Sequence, residues 1–122
     1  MSPNADHLSR LRSICMSLPE VEERVSHGEP AWFISGKRQF VTYADRHHDD
    51  RVAFWSAGPD GAQHVLISTD PDRYFIPPYV GGRGWVGCYL DVDVDWDALE
   101  EIVVDAYLTV APARLASQVT RD

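Results

Sequence analysis

The residues best equipped for chemistry lie between Arg73 and Leu90, in the run RYFIPPYVGGRGWVGCYL. Tyr74, Phe75, Tyr79, Trp85 and Tyr89 surround the Pro77-Pro78 pair and the glycines Gly81, Gly82 and Gly84, and Arg73 and Arg83 flank the rings. Proline fixes φ and favours extended backbone, whereas glycine permits positive φ and close approach of a backbone or ligand. The chemistry this implies is recognition: ring faces for stacking and guanidinium groups for an anion, held on a stiff bend. Read as a crossover, the same run would use its rings to plug the core. Gly82-Arg83-Gly84-Trp85-Val86-Gly87 matches G-x-G-x-x-G. A dinucleotide fingerprint needs a strand before it and a helix after it, while here prolines precede and a strand follows. A turn requiring positive φ is the simpler use, with an anion-binding nest beside Arg83 as the weaker one.

Lys37 and Arg38 stand at a tight turn, and Arg46 and Arg51 flank the next loop. Basic hairpin tips can meet phosphates, and Trp32, Trp55, Tyr79 or Trp85 offers a stacking plane; such tips also guard strand edges against pairing. His47-His48-Asp49-Asp50 has metal-ligand residue types. Neighbouring strand positions point to opposite faces, however, and no second ligand pair has suitable spacing, so a solvated loop tip is expected and no metal site. Asp97, Glu101 and Asp105 form an acidic ridge at four-residue spacing, by default a solvated helix face and alternatively a metal or protein contact. His27 with Glu29, or Cys88 with a histidine, could be assembled into an acid–base or thiol pair. No nucleophile elbow, HExxH helix or P-loop is present, so the chain is expected to be no enzyme and to carry no cofactor.

The elements that must position these groups follow from periodicity. Leu8, Leu11, Ile14, Cys15 and Leu18 predict a helix over 6–18, capped by Asn4 or Asp6 and stopped by Pro19. Glu20, Glu22 and Glu23 then read as a charged connector, and His27-Gly28-Glu29-Pro30 as a break. Strands are expected over 31–35, 38–44 and 51–56, with a turn at Gly36-Lys37, forming an antiparallel meander. A short helix over 61–67, capped by Asp60, precedes an extended segment over 73–77 and a strand over 85–90. Asp93 or Asp95 caps a long helix to about Val110, with Trp96, Leu99, Ile102, Val103, Ala106, Tyr107 and Val110 as its apolar stripe. A short helix or turn over 113–119 ends the chain. Two helices on one face of an antiparallel sheet give an α+β two-layer sandwich.

The chain of 122 residues reads as a single domain, 1–122, large enough for one core. Its hydrophobic share of 44% and charged share of 25% are those of an ordinary globular protein. No apolar run is long enough for a bilayer and no secretory signal is apparent, so no membrane partner is expected. Cys15 and Cys88 sit in apolar patterns and read as buried thiols of a cytoplasmic protein. The net charge of −8 argues against unspecific binding to a polyanion. Acids crowd the C-terminal third, and a local basic face between Arg24 and Arg83 stays open.

Several stretches resemble the MmcQ/YjbR family of small bacterial proteins. They are Leu18-Pro19-Glu20-Val21-Glu22-Glu23, His27-Gly28-Glu29-Pro30-Ala31-Trp32-Phe33, Gly36-Lys37 and Asp70-Pro71-Asp72-Arg73-Tyr74-Phe75. Pro77-Pro78-Tyr79-Val80-Gly81, Arg83-Gly84-Trp85-Val86-Gly87, Asp105-Ala106-Tyr107 and Ala111-Pro112 complete the match in order. The resemblance implies a frataxin-like (CyaY-like) fold and a DNA-binding label, with no catalytic residues. Lys37, Arg38, Arg51 and Arg83 would then hold phosphates, with Tyr79 and Trp85 stacking and Trp32 and Trp55 as further planes. The alternative from the residues is a flat aromatic small molecule in the Tyr79–Trp85 loop, as a resistance or carrier protein would hold. Monomer and homodimer both stay open.

Overall fold

The computed structural model describes residues 3–46 and 50–119, so His47, His48 and Asp49 lie outside the described residues. The element order is α1 (Pro3–Met16), β1 (Val21–Ser26), β2 (Glu29–Ile34), β3 (Arg38–Asp45), β4 (Val52–Ser56), α2 (Ala62–Thr69), β5 (Tyr74–Phe75), a 3-10 turn (Gly81–Arg83), β6 (Val86–Tyr89), α3 (Trp96–Val110) and α4 (Ala113–Ala116). All strands pair antiparallel in one sheet, in the order β1-β2-β3-β4-β6-β5.

Side-chain alternation gives this sheet two unlike faces. Trp32, Val41, Ser56 and Val86 are successive cross-strand partners, as are Tyr43, Phe54, Cys88 and Tyr74, and all of them are buried. They form one core with Leu11 and Cys15 of α1 and Leu99, Val103 and Tyr107 of α3. Phe40 occupies the register shift between β2 and β3, where Val41 pairs with Trp32 but Gln39 pairs with Phe33. The bulge lets Phe40 as well as Val41 be buried, and the Phe40 ring meets Tyr107 edge-on at 5.5 Å. The Tyr107 hydroxyl donates to the Pro19 carbonyl at 2.6 Å, tying α3 to the exit of α1. On the opposite face Thr42, Trp55, Gly87 and Phe75 are cross-strand partners. The two-layer α+β architecture expected from the pattern is the one observed.

Four local expectations differ. The acidic connector is the edge strand β1, whose residues alternate between half-buried and exposed over most of its length. Its inward Glu23 is tolerated because Arg12 donates to both carboxylate oxygens, at 2.7 and 3.0 Å, and Trp32 Nε1 adds a third bond at 3.0 Å. The break at 27–30 is only a two-residue turn, His27-Gly28, with Glu29 and Pro30 already in β2. Asp60 does not cap α2; the helix is entered through Gly61 at φ 84° with no side-chain cap. The first helix is also shifted, ending at Met16 rather than Leu18. The long helix starts as its sequence predicts, with the Asp95 carboxylate accepting from the amides of Asp97 and Ala98 at 3.1 and 3.3 Å.

A ring-lined hollow beside the sheet

The loop that leads into β6 is held rigid by groups at both ends. Pro77 is fully buried, so one proline anchors the bend in the fold while Pro78 stays half-buried. Val80 donates to the Pro78 carbonyl, Arg83 to Val80 and Gly84 to Gly81, coiling the chain into the 3-10 turn. Gly84 closes that turn at φ 84°, a value that a side chain would strain. Gln63 of α2 reaches across and donates through Nε2 to the carbonyls of Gly81 at 2.9 Å and Trp85 at 2.6 Å. Held this way, Tyr79 stands 84% exposed, with its own φ at 67°.

Between this loop and β3–β4 lies a hollow of about 850 Å³. Gln39, Thr42 and Trp55 line it from the face away from α1 and α3, while Tyr79, Val80, Arg83 and Trp85 line it from the loop. Lys37 and Arg38 enter from the β2–β3 turn, Ser26, His27 and Glu29 from the β1–β2 turn, and Thr109 and Val110 from the end of α3. Trp85 is only 5% exposed and belongs to the wall rather than the rim; the Arg83 guanidinium lies 5.8 Å from its ring centre.

The electrostatics of the hollow run against those of the chain. Arg12, Arg46, Arg51, Arg73 and Arg114 each pair with a carboxylate, whereas Lys37, Arg38 and Arg83 form no salt bridge among the described residues. Glu29 is the one carboxylate in the lining, and its Oε2 accepts the Asp45 amide at 2.5 Å. Tyr43 also lines the space; burial first, then the charges of Asp45 and Glu29, push its phenol up to about 12. It is therefore neutral near physiological pH, and apart from the Glu29 carboxylate the lining offers cations, neutral donors and rings.

The structure brings Lys37, Arg38, Trp55, Tyr79, Arg83 and Trp85 together around one space, and it leaves two expected members out. Trp32 is 0% exposed on the helix-covered side, with its Nε1 spent on Glu23, so it presents no stacking plane. Arg51 grips Asp91 through Nε and Nη2, at 2.8 to 3.1 Å, and lies 3.8 Å over the Tyr89 ring, away from the hollow. Gln63, which braces the loop without lining the hollow, is missed by sequence reading, since a lone glutamine in a short helix carries no motif. Thr42 was in principle legible, because it shares a strand face with its partner Trp55. Among the described residues no three histidine, cysteine, aspartate or glutamate side chains converge as a metal site. Cys15 and Cys88 are free and buried, and burial raises both thiols, which keeps them protonated near neutral pH.

Fold and hollow together define a two-layer α+β protein with a ring-lined hollow beside its sheet. The chain belongs to the YjbR family, whose model matches residues 16–109. Its fold is shared with the crystal structure of Deinococcus radiodurans protein DR2400, a DUF419 domain, at a TM-score of 0.75 and 18% identity, covering 91% of this chain and 86% of that one. No curated protein matches the chain. No helix among the described residues is long and apolar enough to cross a membrane.

Proposed function

We propose that the protein is a non-enzymatic binding protein whose hollow takes a flat ligand carrying negative charge. One observation carries this reading: in a chain of net charge −8, three cations without acid partners among the described residues meet Trp55, Tyr79 and Trp85 around one space. Its volume of about 850 Å³ falls within the range of roughly 300–1,000 Å³ typical of small-molecule sites. The rings supply apolar walls, and the cations supply orientation and a preference for an anion. The loop is fixed by Pro77 and by Gln63 before any ligand arrives, so little ordering entropy opposes binding.

A second reading uses the same groups for DNA, as the family resemblance implies, with Lys37, Arg38 and Arg83 on phosphates and Tyr79 stacked on an unpaired base. The acidic remainder of the chain opposes long-range approach of a polyanion, which favours the small ligand. Titration with 8-anilinonaphthalene-1-sulfonate, followed by tryptophan quenching, separates the two. The proposal expects micromolar binding that weakens in Tyr79→Ala and Arg83→Ala and depends only mildly on salt. Binding of a short oligothymidylate with a steep salt slope, not displaced by the dye, supports the DNA reading instead. If neither probe binds below millimolar concentration, both readings are rejected.

A further inference from the structure

Among the described residues the outer edge of β1 has no neighbour in the sheet, and we infer that it pairs antiparallel with β1 of a second copy about a two-fold axis at Glu23. This inference does not depend on the ligand. The β1–β2 turn consists of His27 at φ 54° and Gly28 at φ 83°, the two-residue type with both φ positive. Such a turn is closed by a residue pair that exchanges both backbone bonds, here Ser26 and Glu29. Stepping by two, Arg24 with Ala31 and Glu22 with Phe33 also exchange bonds, and at the far end the Ser35 amide donates to the Glu20 carbonyl at 2.8 Å, in phase with that pattern. The amides and carbonyls of Val21, Glu23 and Val25 therefore face outward.

Those outward groups permit only a few symmetric registers, because outward residues must meet outward residues. A two-fold axis at Glu22 sets that glutamate against its own copy, and an axis at Arg24 does the same for the arginine. An axis at Glu23 instead places Glu22 opposite Arg24 twice, on the side of the sheet away from α1. These are pairs without backbone bonds between them, the kind whose side chains approach most closely. The same register sets Val21 opposite Val25, covering a valine that is 77% exposed in the single chain. Glu23 meets its own copy on the other side, but each carboxylate is already held by Arg12 and Trp32. Charge complementarity thus selects one occupant and one register for this edge.

Sedimentation equilibrium of the full chain tests the inference. A species of twice the 13.7 kDa chain mass is expected. Glu22→Arg alone and Arg24→Glu alone each turn two attractions into two repulsions and raise the dimer dissociation constant at least about tenfold. An equimolar mixture of these two variants restores the dimer, since an all-basic edge then faces an all-acidic one. Val25→Pro removes an outward amide without touching the β1–β2 ladder and also gives monomers, which keeps the test alive if a charge variant folds poorly by circular dichroism. A wild-type chain that stays monomeric at millimolar concentration overturns the inference. So does a dimer that is indifferent to all of these variants, or a mixture that fails to associate.

Discussion

Replacing Gln63 by leucine keeps the bulk of the side chain and deletes the amide that clamps the loop. Two carbonyl acceptors are then left behind, with unequal consequences. Gly81 is half-buried and its carbonyl can turn to water, at a cost of about 0.5 kcal/mol. Trp85 is buried, and an unsatisfied carbonyl there costs roughly 1–3 kcal/mol. The expected loss is about 2 kcal/mol. With an unfolding entropy near 2.1 cal/mol/K for each of the 122 residues, that loss lowers Tm by about 8 °C. Because the lost bonds join α2 to the loop, the loop amides of Arg83 and Gly84 should also open more easily. Their hydrogen exchange is expected to quicken by about 30-fold where exchange proceeds by local opening. Thermal melting and amide exchange measure the two effects separately. Unchanged exchange at both amides, with or without a fall in Tm, refutes the idea that Gln63 holds this loop in place.

Further outcomes follow from other contacts. In Gly87→Ala the new Cβ would lie 2.3 to 2.5 Å from three atoms of the Phe75 ring, which is stacked on Tyr89 at 4.5 Å. The ring must leave the sheet, so stability falls by roughly 1–3 kcal/mol in urea melts, and an unchanged midpoint would contradict the stacking. Ser56 is fully buried, and among the described residues its hydroxyl has no hydrogen-bond partner. Ser56→Ala should therefore be neutral or stabilising by about 1 kcal/mol, and a clear loss would reveal an unrecognised partner. Hydrogen bonds from Arg114 and then Ser35 lower the Glu20 carboxyl to about 2, and Arg51 lowers Asp91. Folded-state values below the unfolded ones mean that this stabilisation is complete above the ordinary carboxylate range and is lost as pH falls from that range down through the folded-state values. Arg114→Ala should flatten the decline in stability between pH 4.5 and 2, and an unaltered slope would remove Glu20 as its source.

The parts of this fold that were legible in the chain are those whose signal is local. Helix α3 combines a complete apolar stripe with a capping carboxylate at Asp95, and both work within a few residues of sequence. The β3 and β4 strands alternate as two-faced strands do, and together with α3 they are enough to indicate two layers. Strand β1 escaped because its inward position carries Glu23, and the residues that neutralise it, Arg12 and Trp32, come from elsewhere in the chain. The candidate site divides in the same way. Tyr79, Arg83 and Trp85 announce themselves by composition, and Lys37 and Arg38 by their place at a turn.

Which side chains share a space is a property of strand register and loop docking, and neither is written in spacing. Trp32 and Trp55 are both strand tryptophans, yet register sends one under the helices and the other to the hollow. Arg51 and Arg83 are both arginines near rings, yet only the fold sets Asp91 against Arg51 and, among the described residues, leaves Arg83 without an acid. Sequence determined the two-layer class, the long helix and the chemical inventory, because periodicity and residue type act locally. Tertiary structure decided which cations remain unpaired and which rings stay reachable, because pairing and burial depend on neighbours that are distant in the chain.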